Sequence, residues 1–189
     1  RQRQMCIRDS DRYFTFHGKA AHASAFPEEG VNALNAARLY MEAMDMWRQH
    51  ITKDCQFHGI VVKGGEAPNI VPEEVCLDYY YRAATLENLW KLNKISENCA
   101  RGAALATGTE VEWQQRYPDY GEIYWNEYMD QIMKDIFEHV GRTCEDSPGP
   151  GGSSDIGNVN LKIPVFHPLL DITGKDKTCV VHDLSLIHI

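Results

Sequence analysis

The segment Gly18-Lys19-Ala20-Ala21-His22-Ala23-Ser24, followed closely by Gly30, lies where a strand-like pattern gives way to a helix-like one. Residues 11–17, just before it, alternate in polarity as a half-buried strand does. The small residues around His22 allow the backbone to approach a ligand or another segment closely. A histidine in such a turn is exposed and can form a hydrogen bond or take a proton near neutral pH. His22 is therefore a candidate functional residue, although a turn histidine is more often an ordinary surface residue.

The pattern beyond this segment predicts two helices and three further strands. Apolar residues at steps of three and four predict helices at about 30–50 and 85–106. Apolar or alternating runs predict strands at 55–63, 74–82 and 110–116. The order strand, helix, strand, strand, helix, strand is that of the ferredoxin-like fold. We therefore expect an α+β domain whose four-stranded antiparallel sheet carries two helices on one face.

A different pattern begins near residue 120. An amphipathic helix is predicted at about 122–140, and a strand at 158–166 after a glycine-rich loop. These elements are too few for an independent domain, so we expect them to belong to a larger α/β domain. The expected division is a ferredoxin-like domain at 11–118 and part of a second domain at 119–183.

The two ends of the chain lack any periodic pattern. Residues 1–10 and 184–189 resemble translated non-native sequence, and we exclude both from the fold prediction. We also expect the chain to be a fragment of a longer protein.

Composition excludes some classes of function. The 189 residues carry a formal net charge of −8, which disfavours nucleic acid or an anionic membrane as the main partner. Tyr79, Tyr80 and Tyr81 could stack on bases, but the chain lacks a matching basic field. No apolar run approaches the roughly 20 residues of a membrane span. The six scattered cysteines include no C-x-x-C pair, which favours reduced thiols in a cytoplasmic protein.

Asn69 and Arg82 are candidates for binding a substrate. Asn69 lies in an extended loop next to Pro68, and its amide could fix a ligand, although an Asx turn is an equally good interpretation. Arg82 ends a predicted strand, and its planar guanidinium suits a carboxylate. An ion pair with Asp78, which lies on the same face of that strand, is the more common fate of such an arginine.

The second part of the chain offers weaker candidates. Asp155 ends the glycine-rich loop, which could cradle an anion through its amides or be an ordinary surface loop. No lysine follows as in a P-loop. His167 and His182 follow strand-like runs and could each bind zinc, but one histidine does not make a metal site.

Two ordered motifs give these residues a family resemblance. They are Gly18 to Ala33, with its lysine, histidine, proline and glycine, and the run Gly64-Gly65-x-Ala67-Pro68-Asn69-Ile70-Val71-Pro72, followed by Tyr81-Arg82. Together they resemble the lid domain of zinc-dependent amidohydrolases and dipeptidases. Thr107-Gly108-Thr109 and the run from Gly152 to Asn160 are similar to the branch that holds the B subunit of aminobenzoyl-glutamate hydrolase and the Xaa-Arg dipeptidases. The resemblance covers about 11–182.

The resemblance implies a role for each candidate. The lid would mediate a homodimer, and His22 would reach the partner's active site to stabilise an oxyanion formed on a small amide or dipeptide substrate. Asn69, Arg82 and Asp155 would contact or line the site of that substrate, and His182 would be a metal ligand. The complete enzyme would hold two Zn²⁺ ions, with Mn²⁺ or Co²⁺ also possible. Its other metal ligands and its catalytic glutamate would come from a segment before residue 11, so this chain alone is expected to be inactive.

A different class of function remains open on the residues alone. A ferredoxin-like domain can also be a non-catalytic module for dimerisation or for binding a small molecule, and fold does not decide between the two.

Overall fold

Four strands and two long helices form the larger part of the structure. The computed structural model describes residues 8–121, 124, 126–142 and 155–166. The elements are β1 (Arg8–His17), α1 (Ala33–Trp47), β2 (Gln56–Lys63), β3 (Glu74–Ala83), α2 (Leu86–Thr107) and β4 (Glu110–Gln114). The strands form one antiparallel sheet in the order β2-β3-β1-β4. This order confirms the predicted ferredoxin-like fold.

The core lies between one face of the sheet and the two helices. Phe14 and Phe16 of β1 are fully buried there, as the alternation predicts, and so are the alternate residues Val75, Leu77 and Tyr81 of β3. This burial of large apolar side chains supplies most of the stabilisation of such a layer. The opposite face carries polar side chains such as Asp78 and Arg82 together with Ile60 and Tyr80, and no described helix packs against it.

Capping side chains fix where the helices begin. The predicted start of α1 near residue 30 is three residues early, because Asn32 accepts a hydrogen bond from the N–H of Leu34 at 2.9 Å and caps the helix there. Thr85 caps α2 in the same way through Asn88. Gly108 ends α2 in the left-handed conformation, with φ of 68°.

Strand β1 begins earlier than predicted. The exclusion of residues 1–10 from the fold is wrong for Arg8, Asp9 and Ser10, which are buried in the sheet. They pair with the end of β3, from Ala83 to Tyr81, which otherwise would have no neighbour on this side among the described residues. Pairing of main-chain groups needs no apolar pattern, so the sequence alone did not reveal it.

The elements after the sheet are α3 (Glu127–His139) and α4 (Ile156–Asn160). The predicted strand at 158–166 is wrong, because α4 occupies its first part and no strand follows among the described residues. The side chain of Asn158 accepts from the N–H of Gly121 at 2.6 Å, and that of Asn160 accepts from the N–H of Tyr124. Such side-chain to main-chain bonds compete with the ladder of a strand. None of the described helices is both long and apolar enough to cross a membrane.

Candidate functional site

The segment after β1 packs closely beside Val31, and two glycines make this close approach possible. The N–H of Lys19 donates to the C=O of Val31 at 2.8 Å, and the return bond is 2.9 Å long. A Cβ at Gly18 would lie 2.0 Å from the Val31 oxygen, and a Cβ at Gly30 would lie 3.0 Å from the Cβ of Ala21. Any larger residue at position 18 would force these segments apart, so the small residues of the motif serve close backbone packing.

The other side of the same segment is bonded to the loop between β2 and β3. The N–H of Val71 donates to the C=O of Ala21, and the N–H of Ala23 donates to the C=O of Asn69, both at 2.9 Å. The structure thus brings two predicted site residues, His22 and Asn69, onto adjacent segments at one end of the sheet.

The His22 side chain is exposed and caps the turn that follows it. Its Nδ1 atom lies 3.2 Å from the N–H of Ala25, 3.4 Å from the N–H of Ser24 and 3.3 Å from the Ser24 hydroxyl. The His22 C=O accepts from the N–H of Phe26 at 3.1 Å, which closes the turn. Because the two amides can only donate, Nδ1 acts as their acceptor.

The Asn69 side chain is exposed beside Pro68. No hydrogen bond of its amide to another described residue is present, so nothing in this part of the chain supports the Asx-turn interpretation. Its main-chain carbonyl holds the His22 segment, while its side chain is available to a ligand.

Arg82 lies elsewhere. Strand β3 has ten residues and is therefore about 30 Å long, and Arg82 is near the end that lies away from the His22 segment. The expected ion pair of Arg82 with Asp78 is wrong, because Asp78 pairs with Arg116 instead. Arg82 Nε donates to Asp9 at 2.9 Å, the residue directly opposite it on β1. Cross-strand neighbours are closer than residues farther along one strand, which explains this choice.

The second part of the chain adds little to the site in the described residues. Asp155 is exposed at the N-cap position of α4 and does not cap it with its side chain. His167 and His182 lie outside the described residues. No group of three or more His, Cys, Asp or Glu side chains within 8–121, 124, 126–142 and 155–166 could hold a metal ion. These residues therefore do not themselves fit the metal that the resemblance implies.

One feature of the site, and one close contact near α4, were missed in the sequence. The amides of Ser24 and Ala25 face the His22 ring, and main-chain donors leave no mark in residue type. Gly157 packs so closely on Gly121 that a Cβ there would lie 2.0 Å from the Gly121 oxygen. Glycine at both positions was the available signal for this contact.

With this geometry in hand, comparison with known proteins identifies the family. Residues 12–107 match the model of the peptidase dimerisation domain, M20_dimer. The chain belongs to this family. The matched residues span three of the four strands and both helices described above; the first residues of β1 and all of β4 lie outside the match.

Curated relatives of this family member include dipeptidases and amidohydrolases. The chain is 38% identical to the Xaa-Arg dipeptidase of Mus musculus over 166 residues, which cover 86% of the chain and 38% of the relative. It is 34% identical to the B subunit of p-aminobenzoyl-glutamate hydrolase of Escherichia coli (strain K12) over 128 residues, covering 67% of the chain and 26% of the relative. These matches confirm the predicted family resemblance. The chain spans less than half of the length of either protein.

A solved structure supports the fold. The aminobenzoyl-glutamate utilization protein from Klebsiella pneumoniae superposes with a TM-score of 0.66 over 84% of the chain and 42% of that structure. The sequence identity is 16%, so this likeness shows the shared fold alone.

Proposed function

We propose that the chain is part of a metal-dependent amidohydrolase or dipeptidase, and that His22 stabilises the oxyanion formed as the amide bond breaks. The substrate would be a small N-acyl amino acid, a dipeptide or an aminobenzoyl-glutamate-like amide. Membership of the peptidase dimerisation domain family supports the reaction class. The observation that carries the role of His22 is its exposed ring, whose Nδ1 is occupied by the chain's own amides and whose Nε2 is left for a ligand.

The described residues contribute binding and charge stabilisation to this reaction. His22 Nε2–H would donate to the developing oxyanion, and a donor so placed contributes roughly 3 kcal/mol in the transition state. The Asn69 amide would hold the substrate from the same end of the sheet. Arg82 and Asp155 remain proposed substrate contacts. Arg82 could bind a substrate carboxylate only if that carboxylate displaces Asp9 or joins it at the guanidinium.

The metal would be held outside the described residues, with His182 as one proposed ligand. Zn²⁺ is the first candidate, two ions per site, and Mn²⁺ or Co²⁺ could bind similar ligands. When bound, the metal would supply an activated water molecule. The domain division at residue 118 and a cytoplasmic location also remain proposals.

The proposed partner is a second copy of the chain, paired along strand β2. This strand is an edge of the sheet, and no described strand pairs with its outer side. Ile60, Val61 and Val62 are 65%, 45% and 50% exposed on it. An exposed apolar edge is usually protected or paired, because its free main-chain groups attract another strand. The family's description as a dimerisation domain favours a second copy as that strand.

A dimer along β2 would also place His22 near the partner. Strand β2 ends at Lys63 and leads directly into the loop whose Asn69 and Val71 bond to the His22 segment. A partner paired along this edge would therefore reach, at its Lys63 end, the loop that bonds to the His22 segment. This continuity supports a role for His22 in the partner's site.

His22→Ala in the full-length protein tests the catalytic proposal. We expect hydrolysis of a dipeptide or aminobenzoyl-glutamate to fall by roughly 10²–10³-fold in kcat, because the oxyanion loses one donor. Metal content should stay unchanged. His50→Ala, at another exposed histidine, is the matched control and should leave kcat unaltered. Full activity of His22→Ala would refute the assignment.

Val62→Lys tests the dimer surface. A lysine on the free edge should block pairing with a second strand, so the mass measured by light scattering should fall from dimer to monomer. Leu105→Lys, at an 86% exposed leucine of α2, is the control and should remain dimeric. A Val62→Lys protein that stays dimeric would place the interface elsewhere.

A further inference from the structure

The turn after His22 begins with amides that need an acceptor. The bond from the Phe26 N–H to the His22 C=O closes a single turn, and the first amides of such a turn have no main-chain partner within it. The His22 ring fills that need through Nδ1, at 3.2 Å from the Ala25 N–H and 3.4 Å from the Ser24 N–H. The imidazole here occupies the place that an asparagine or serine side chain takes at a helix N-cap.

We propose that this turn fixes the tautomer of His22, with the proton on Nε2, and that Ser24 and Ala25 act as positioning residues through their amides. A neutral imidazole has one N–H donor and one acceptor nitrogen. Because two amides donate to Nδ1, Nδ1 must be the unprotonated acceptor nitrogen, and the proton must be on Nε2. The bond that one ring nitrogen makes sets the proton on the other.

A second observation shows why this matters for a ligand. In the part of the chain that the structure describes, Nε2 has no hydrogen-bond partner, and the His22 side chain is exposed. The fixed tautomer therefore presents a free N–H donor to whatever approaches. It also removes the ring as a base at that atom, since a protonated Nε2 cannot accept. His22 is thus suited to hold a negative oxygen and unsuited to abstract a proton.

The role of this donor at an oxyanion rests on the proposed function, but the tautomer can be measured without any substrate. The full chain labelled with ¹⁵N-histidine is recorded by long-range ¹H–¹⁵N NMR at a pH high enough to keep histidine rings neutral. Comparison with His22→Asn assigns the signals among the eight histidines. We expect Nδ1 of His22 to give the shift of an unprotonated nitrogen and Nε2 that of a protonated one. The reverse pattern, or an average of the two, would overturn the inference.

A matched pair of variants separates the cap from the donor. In His22→Asn the Oδ1 atom is as many bonds from Cα as Nδ1 is, so it can accept from the turn but cannot reach as a donor. In His22→Gln the Nε2 amide matches the position of the histidine Nε2, but the cap is lost. We expect amide hydrogen exchange at Ser24 and Ala25 to stay near the wild-type rate in His22→Asn and to be about fivefold faster in His22→Gln.

Turnover by the full-length protein should show the opposite order. The kcat of His22→Asn should fall by roughly 10²–10³-fold. The kcat of His22→Gln should fall by a factor about ten times smaller, so this variant stays the more active of the two. Equal exchange rates at Ser24 and Ala25 in both variants would refute the cap. If His22→Ala keeps full activity while NMR still shows the proton on Nε2, the tautomer stands and the catalytic proposal alone fails.

Discussion

Asn69 combines a main-chain contact with a proposed role in substrate binding, and a single substitution can separate the two. Its main-chain carbonyl accepts from the Ala23 N–H at 2.9 Å and would do so with any side chain. Its amide is exposed and makes no hydrogen bond to a described residue. Asn69→Ala should therefore keep the His22 segment in place and lose the proposed contact with substrate. We expect KM to rise by roughly tenfold with little change in kcat, as for the loss of a hydrogen bond present in both ground and transition states.

The control for this prediction is Asn35→Ala, at an exposed asparagine of α1. Steady-state kinetics should show no change there, and thermal melting should be unchanged in both variants. A lower melting temperature of Asn69→Ala with an unaltered KM would show that the side chain supports the loop rather than a ligand.

Sequence reasoning at this scale succeeded where residue type carried the signal. Small residues around His22 indicated close backbone approach, and Gly18 against Val31 shows it. The partner of Arg82 was predicted wrongly because Asp9 lay in a stretch excluded from the fold. The roles of the candidates remain predictions, since geometry places His22 and Asn69 together but does not show a substrate.

At the scale of elements, three buried hydroxyls join α1, β3 and α2. Tyr40 contacts Tyr81 at 2.8 Å and Ser96 at 2.8 Å, and Tyr81 contacts Ser96 at 2.5 Å. All three residues are fully buried. Each hydroxyl can donate once and accept once around this triangle, so these three polar groups satisfy one another.

These tyrosines should make stability fall at alkaline pH. Burial raises the pKa of Tyr40 and of Tyr81 above the ordinary value of about 10. Above pH 10 the unfolded chain therefore loses these protons while the folded chain keeps them, so the free energy of unfolding decreases as pH rises. Each tyrosine contributes a slope of up to about 1.4 kcal/mol per pH unit in that range.

Tyr81→Phe should reduce this slope by the contribution that Tyr81 makes to the pH dependence of the free energy of unfolding. It should also lower the free energy of unfolding at pH 8 by about 1–2 kcal/mol, because two hydrogen bonds are lost while Tyr40 and Ser96 remain paired. Urea unfolding between pH 8 and 11 measures both effects. Tyr128→Phe, at a 76% exposed tyrosine, is the control and should match wild type. An unchanged alkaline slope in Tyr81→Phe would contradict the assignment.

The elements themselves were predictable to different degrees. The strands and helices of the sheet domain have strong periodicity, and their order alone gave the ferredoxin-like fold. The region near α4 was predicted wrongly because its conformation depends on Asn158 and Asn160 binding the main chain of residues 121 and 124, which are distant in sequence. Periodicity carries no information about such distant partners.

At the scale of the whole molecule, the arrangement of the proposed dimer would decide how His22 acts. If it serves the partner's site, an inactive protomer with a good His22 can rescue one without it. We propose mixing full-length His22→Ala with full-length His182→Ala, which removes the proposed metal ligand. In a mixed dimer, the site of the His22→Ala protomer keeps His182 and receives the wild-type His22 of the other copy.

This mixture should recover about a quarter of wild-type activity, because random exchange makes about half of the dimers mixed and each has one complete site of two. Each variant alone should be nearly inactive, and mixing two samples of the same variant is the control. Adding Val62→Lys to both variants should abolish the recovery, because monomers cannot share a site. If His22 acted within its own protomer, every site in the mixed dimer would lack one group and activity would stay at the background. The outcome thus follows from which copy supplies the histidine, and it separates a dimer that completes the site from one that only stabilises the fold.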